Sequence, residues 1–196
     1  MTKYAKIIEG RLEFAPKNKG SIINYDLDTE RLIQDGYKPY VPAEIPTTNR
    51  RYHFDYTETS ESITEILVYD ETQAEADARD LENAKRAKIS ENDTVRDAAL
   101  NRGVTYEGIL FDSDTDQKIN LLATVNVMGD EDEVTWFGMN NEALLCTKAD
   151  LMQIGGLIIE LHTFCWTKNA EIKGEIAAAE TLQEVEEIEV DYDTEE

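Results

Sequence analysis

At 196 residues the chain is long enough for one large domain or two small ones, each small one with a modest core. Forty-two acids against nineteen bases leave a net charge of −23, which repels DNA, RNA and anionic lipid. Charge alone would draw a basic protein surface, and the longest apolar run falls far short of the roughly 18–20 residues of a membrane helix, so neither nucleic acid nor membrane is an expected partner.

The opening, Met-Thr-Lys-Tyr-Ala-Lys-Ile-Ile-Glu-Gly, lacks the apolar core of a signal peptide, so accumulation in the cytoplasm of the producing cell is expected. Cys146 and Cys165 are then expected as free, buried thiols. Lys3–Ile8 and Arg11–Ala15 are β-prone runs joined by Glu9-Gly10, the signature of a tight hairpin. Asp28 caps and Gly36 stops a short helix between them. Tyr37–Thr48 carries Pro39, Pro42 and Pro46, which predicts an extended surface loop. Arg51–Thr57 alternates, with Tyr52, Phe54 and Tyr56 on one side, and Ser62–Tyr69 supplies a second strand.

From Glu71 the composition turns to Ala, Glu, Lys, Arg and Asp, which favours helix. A heptad seam runs through Ala74, Ala78, Leu81, Lys85, Lys88, Asn92, Val95 and Ala99, too polar for a self-sufficient coiled coil. Ser90–Asp93 predicts a break, giving a connecting helix over 71–92 and a second over 94–102. A dimer or trimer through the connecting helix stays open. Thr105–Phe111 forms a hairpin around Glu107-Gly108, and Ser113 or Asp114 caps a helix over 115–128 whose buried face is Ile119, Leu122, Val125 and Met128. Val134–Phe137 and Ala143–Cys146 pair as a second hairpin.

Thr147 with Asp150 imitates a capping box and opens a helix over 148–179. Its apolar stripe is Leu151, Ile154, Ile158, Leu161, Cys165, Ile172 and Ile176, widened by Leu157 and Phe164. Thr181 with Glu184 caps a last short helix that turns Leu182, Val185 and Ile188 inward, followed by an acidic tail with nothing to bury. The fold class is therefore α+β: a small β-rich N-terminal anchoring domain (1–70), the connecting helix (71–92), a mainly helical C-terminal domain with two short hairpins (93–189) and the acidic tail (190–196).

Few constellations carry chemistry. Asp112-Ser113-Asp114-Thr115-Asp116 starts like a calcium loop, but Gln117 and Ala123 stand where the turn glycine and the bidentate glutamate belong, so it reads as a helix N-terminus. His162 and Cys165 lie three apart on one helix, with Cys146 and His53 the other candidate zinc ligands; a core-facing position explains them without a metal. Gly155-Gly156 inside a helix predicts close approach of another backbone. Tyr37, Pro39 and Tyr40, on the expected loop, and Trp136 and Trp166 are the candidate protein-contact residues.

The segment from about 93 to 189 resembles a small domain of unknown biochemical function common at the C-terminal end of bacteriophage tail-fibre-related proteins. The resemblance rests on Gly103-Val104-Thr105-Tyr106-Glu107-Gly108-Ile109-Leu110-Phe111-Asp112, on Thr135-Trp136, on Thr147 with Asp150-Leu151, on His162 near Cys165 and on Glu180–Val185. Lys3-Tyr4-Ala5-Lys6-Ile7 with Gly10, and Asp35-Gly36-Tyr37, resemble the starts of phage tail accessory proteins more loosely. The resemblance implies a structural component of a tail fibre or baseplate, made in the host cytoplasm and carried in the virion tail. Fibre or baseplate proteins would be its partners, alongside homo-oligomerisation. No catalytic residues, metal or cofactor come with it, and a non-enzyme is expected. The alternative is a tail-fibre assembly chaperone that binds the fibre transiently and is absent from virions.

Overall fold

The computed structural model describes residues 2–193, so Thr194–Glu196, the end of the expected acidic tail, lie outside the described residues. The chain divides into two compact units, Met1–Arg79 and Asp80–Glu196, and the architecture is α+β. Among the described residues no helix is long and apolar enough to cross a membrane.

The first unit holds a five-stranded sheet in the order Arg11–Phe14, Lys3–Ile8, Lys38–Val41, Ile63–Tyr69, Tyr52–Glu58. β1 (Lys3–Ile8) and β2 (Arg11–Phe14) form the expected hairpin. Glu9 (φ +50°) and Gly10 (φ +77°) both sit in the left-handed region, as the turn that matches strand twist requires. Helix α1 (Thr29–Gln34) starts where Asp28 accepts the Arg31 N–H. Leu32 from α1 packs with Tyr25 and Tyr37. Asp35 closes the helix through its backbone N–H, and its carboxylate accepts from Lys19 (2.8 Å) and the Tyr25 hydroxyl (2.5 Å), which hold it below the usual carboxylate range.

The extended surface loop is corrected in part: residues 42–48 have no regular structure, as expected, but the stretch before them does not loop. Lys38–Val41 is β3, inside the sheet, antiparallel to β1 and parallel to β5 (Ile63–Tyr69). Pro39 is tolerated because it pairs opposite Tyr4, ahead of the β5 pairing, which begins at Tyr40. β4 (Tyr52–Glu58) closes one edge, antiparallel to β5.

Helix α2 (Gln73–Leu100) is continuous, so the break expected at Ser90–Asp93 does not occur. Its weak helix formers find distant partners instead of capping local backbone. Asn92 is fully buried, and Asp93 binds Lys173 at 2.7 Å and Asn169 at 3.2 Å.

In the second unit, β6 (Val104–Tyr106) and β7 (Ile109–Phe111) pair around Glu107 (φ +51°) and Gly108 (φ +78°). Helix α3 (Thr115–Val127) is capped by Asp114, and its buried face is the expected one only at Val125 and Met128. Leu121 and Met128 enter the core with Val125 packed against it, while Ile119 (59% exposed) and Leu122 (61%) face out. β8 (Glu133–Phe137) and β9 (Ala143–Thr147) form the second hairpin. Gly138 lets its turn touch the first hairpin: a Cβ there would stand 2.6 Å from the Leu110 carbonyl oxygen.

Helix α4 (Lys148–Ala178) buries the predicted stripe, Leu151, Ile154, Ile158, Leu161, Cys165, Ile172 and Ile176, and adds Asn169. The Thr147–Asp150 capping box is formed. α5 (Leu182–Glu187) carries the second box, but Leu182 is 44% exposed and only Val185 is fully buried. The tail is also corrected: Val190 packs on the core and Tyr192 is buried within it.

Candidate functional site

α4 carries an exposed apolar surface of the second unit. Beyond its buried stripe, Met152, Gly156, Ile159, Thr163 and Trp166 recur at i, i+4, i+7, i+11 and i+14, which places them along one face. Met152 (60%), Ile159 (67%) and Trp166 (53%) are exposed, and no residue of this row is charged. The row opens beside a recess of about 450 Å3 lined by Lys118, Ile158, Ile159, His162, Thr163, Trp166 and Thr167. In a chain of net charge −23 this lining contains a lysine, a histidine and no carboxylate.

α3 supplies Lys118. Its Nζ lies 3.4 Å from each ring nitrogen of His162, and it makes no ion pair among the described residues. The His162 Nε2 lies 3.1 Å from the Ser113 carbonyl oxygen, so Nε2 carries the proton and donates it there. On the other side the Arg96 guanidinium from α2 stacks 4.5 Å from the Trp166 ring centroid, held by Asp93 and Asp97 at 2.7 Å each. Trp166 is therefore presented as a fixed plate.

Gly155 and Gly156 separate in role. A Cβ on Gly155 would meet the Leu121 side chain at 3.1 Å, so a side chain of α3, not a second backbone, accounts for this glycine. Gly156 has open space where its Cβ would stand. Nothing among the described residues requires a glycine there.

The other candidate contact residues lie apart from this face. Tyr37 is 6% exposed and packs edge-on against Tyr25 with ring centroids 6.2 Å apart, so it is a core residue. Pro39 and Tyr40 are half-buried in β3. Tyr40 packs edge-on against Phe14, and burial with a hydrogen bond to Glu65 pushes its hydroxyl up to about 12. Trp136 lies against the core with its indole N–H enclosed and unpaired among the described residues. Of the five candidates only Trp166 is on an open surface. Met152 and Ile159 carried a sequence signal, their seven-residue spacing with Trp166, which the stronger buried stripe masks.

Cys146 and Cys165 are fully buried free thiols, and burial pushes both of them up. The Ser113 hydroxyl donates to the Leu100 carbonyl at 2.6 Å and accepts from the Gly103 N–H at 3.2 Å, locking the end of α2 to the first hairpin. Among the described residues no group of three or more His, Cys, Asp or Glu side chains is placed to hold a metal ion.

Comparison with curated proteins and with solved structures returned no match. A family model does match, over residues 83–194, more than half of the chain, and encloses α3, α4, both short hairpins and the buried Tyr192. The chain therefore belongs to the family described as a domain of unknown function, DUF4376.

Proposed function

We propose that this protein is a structural component of a bacteriophage tail fibre or baseplate that acts through protein–protein contacts and has no enzymatic role. The observation that carries the contact reading is the exposed, uncharged face of α4. Large apolar side chains held rigidly on a helix are what protein interfaces use, and monomeric surfaces seldom align them over several turns. The tail setting draws on the resemblance of 93–189 to a domain of tail-fibre-related proteins, a segment that lies inside the 83–194 family match. The chain would be made in the bacterial cytoplasm and carried in the virion tail, next to fibre or baseplate proteins.

A tail-fibre assembly chaperone is the second reading, because the same exposed face suits transient binding. Mass spectrometry of purified particles of the encoding virus, beside the infected lysate, separates the two. A structural component is found in particles; a chaperone is found in lysate alone; absence from both ends the tail reading.

A further inference from the structure

The net charge of the whole chain favours a basic partner, and the α4 face departs from it. Its recess is lined by Lys118 and His162 without a carboxylate, and among the described residues Lys118 makes no ion pair, in a chain rich in acids. The row from Met152 to Trp166 runs about four turns along α4, which fits a second helix better than a point contact. Gly156, which intrachain packing does not require, opens the middle of this row to close approach of another backbone.

We propose that this face docks an amphipathic α-helix of another protein, with its apolar side chains set between Met152, Ile159 and Trp166 and a carboxylate paired with Lys118 at the recess. The proposal rests on the contact reading above in taking the occupant to be a protein. Charge complementarity selects the helix: an acidic flank pairs with Lys118, which repels a basic one, whereas the Arg96 guanidinium on Trp166 is already paired with Asp93 and Asp97. A second copy of this chain would bring another 23 net negative charges, and α4 itself offers no carboxylate within the row.

The test titrates the isotope-labelled full chain with two synthetic helical peptides that share one leucine stripe. One carries glutamates beside the stripe and the other lysines, and backbone NMR shifts report where and how tightly each binds. The glutamate peptide is expected to bind at least about tenfold tighter and to shift residues of α4 around Ile159 and the Lys118 turn of α3. Ile159→Asp, at an exposed position, is expected to weaken it about tenfold or more with the rest of the spectrum preserved. Lys118→Glu is expected to reverse the preference between peptides. Equal affinity for the two peptides, or shifts mapping away from α4, would overturn the proposal. Sedimentation showing a dimer that Ile159→Asp dissolves would overturn it too, by making a second copy the occupant. Absence of the chain from virus particles sinks the tail setting and leaves this titration standing, so the two failures are distinguishable.

Discussion

The Tyr192 hydroxyl donates to Asn92 Oδ1 at 2.6 Å, joining residues one hundred positions apart inside the second unit. Asn92 is fully enclosed and Tyr192 is 2% exposed. The same tail residue offers its carbonyl to Arg102 at 2.9 Å, so Tyr192 is fastened by backbone and side chain together. Tyr192→Phe keeps the ring and removes the donor, leaving a buried amide oxygen short of a partner. The expected loss is about 1–3 kcal/mol of unfolding free energy, read as a lower urea midpoint with unchanged slope. An unchanged midpoint would show that the tail does not contribute.

The orientation of α3 makes a sharper test. Leu121 is 8% exposed in the core, and its neighbour Leu122 is 61% exposed. Leu121→Ala is expected to cost about 2–4 kcal/mol, and Leu122→Ala less than about 0.5. Chemical denaturation of the two variants decides which leucine faces α4, and the reverse order would restore the face centred on Ile119 and Leu122.

Gly155 and Gly156 are adjacent and should respond differently to alanine. Gly156→Ala removes a flexible residue from a helix interior with no steric consequence, and about 0.5–1 kcal/mol of stabilisation is expected. At Gly155 the new methyl meets Leu121 at 3.1 Å, so Gly155→Ala is expected to melt below Gly156→Ala. Thermal unfolding of both variants checks this, and equal melting temperatures would contradict the contact with Leu121.

Asp150 gives a pH dependence. The Thr147 hydroxyl, the Tyr106 hydroxyl (2.7 Å) and the Thr147 N–H (2.8 Å) all donate to its carboxylate and hold it below the usual range. Tyr106, bonded to Asp150, is pushed up to about 12. With the folded value depressed, the unfolded chain takes up this proton first as the pH falls. The contribution is whole above the unfolded value near ~4 and disappears as the pH drops through the lower folded value. The melting-temperature gap between the native chain and Asp150→Asn is therefore expected to hold constant at neutral and mildly acidic pH and to narrow below about 4. A gap that stays constant into strong acid would exclude the ionised carboxylate as its source.

The parts of this fold that sequence discloses are those set by neighbouring residues. Glu9-Gly10 and Glu107-Gly108 adopt positive φ as their turn type demands, and Asp28, Thr147 with Asp150, and Thr181 with Glu184 cap the helices they precede. The parts it conceals depend on distant partners. Ser90–Asp93 looks like a helix break until Lys173, Asn169 and Tyr192 supply contacts for Asp93 and Asn92. Pro39 looks like a loop residue until β1 and β5 share β3 unequally. On α3 the apolar residues surround most of the helix, so periodicity fails to choose between Leu121 and Leu122. The α4 face was half legible: Trp166 stood out, whereas the recess requires Lys118 from another helix.

The central claim is that the exposed face of α4 holds this protein to a tail structure, and incorporation into particles measures it most directly. Particles of the encoding virus, grown with the native chain or with Ile159→Asp, are purified and the chain is quantified by mass spectrometry against the major tail proteins. The account predicts that the native chain is present at fixed stoichiometry and that the folded Ile159→Asp chain is missing or strongly depleted. Equal incorporation of the two chains, or absence of both, would contradict it.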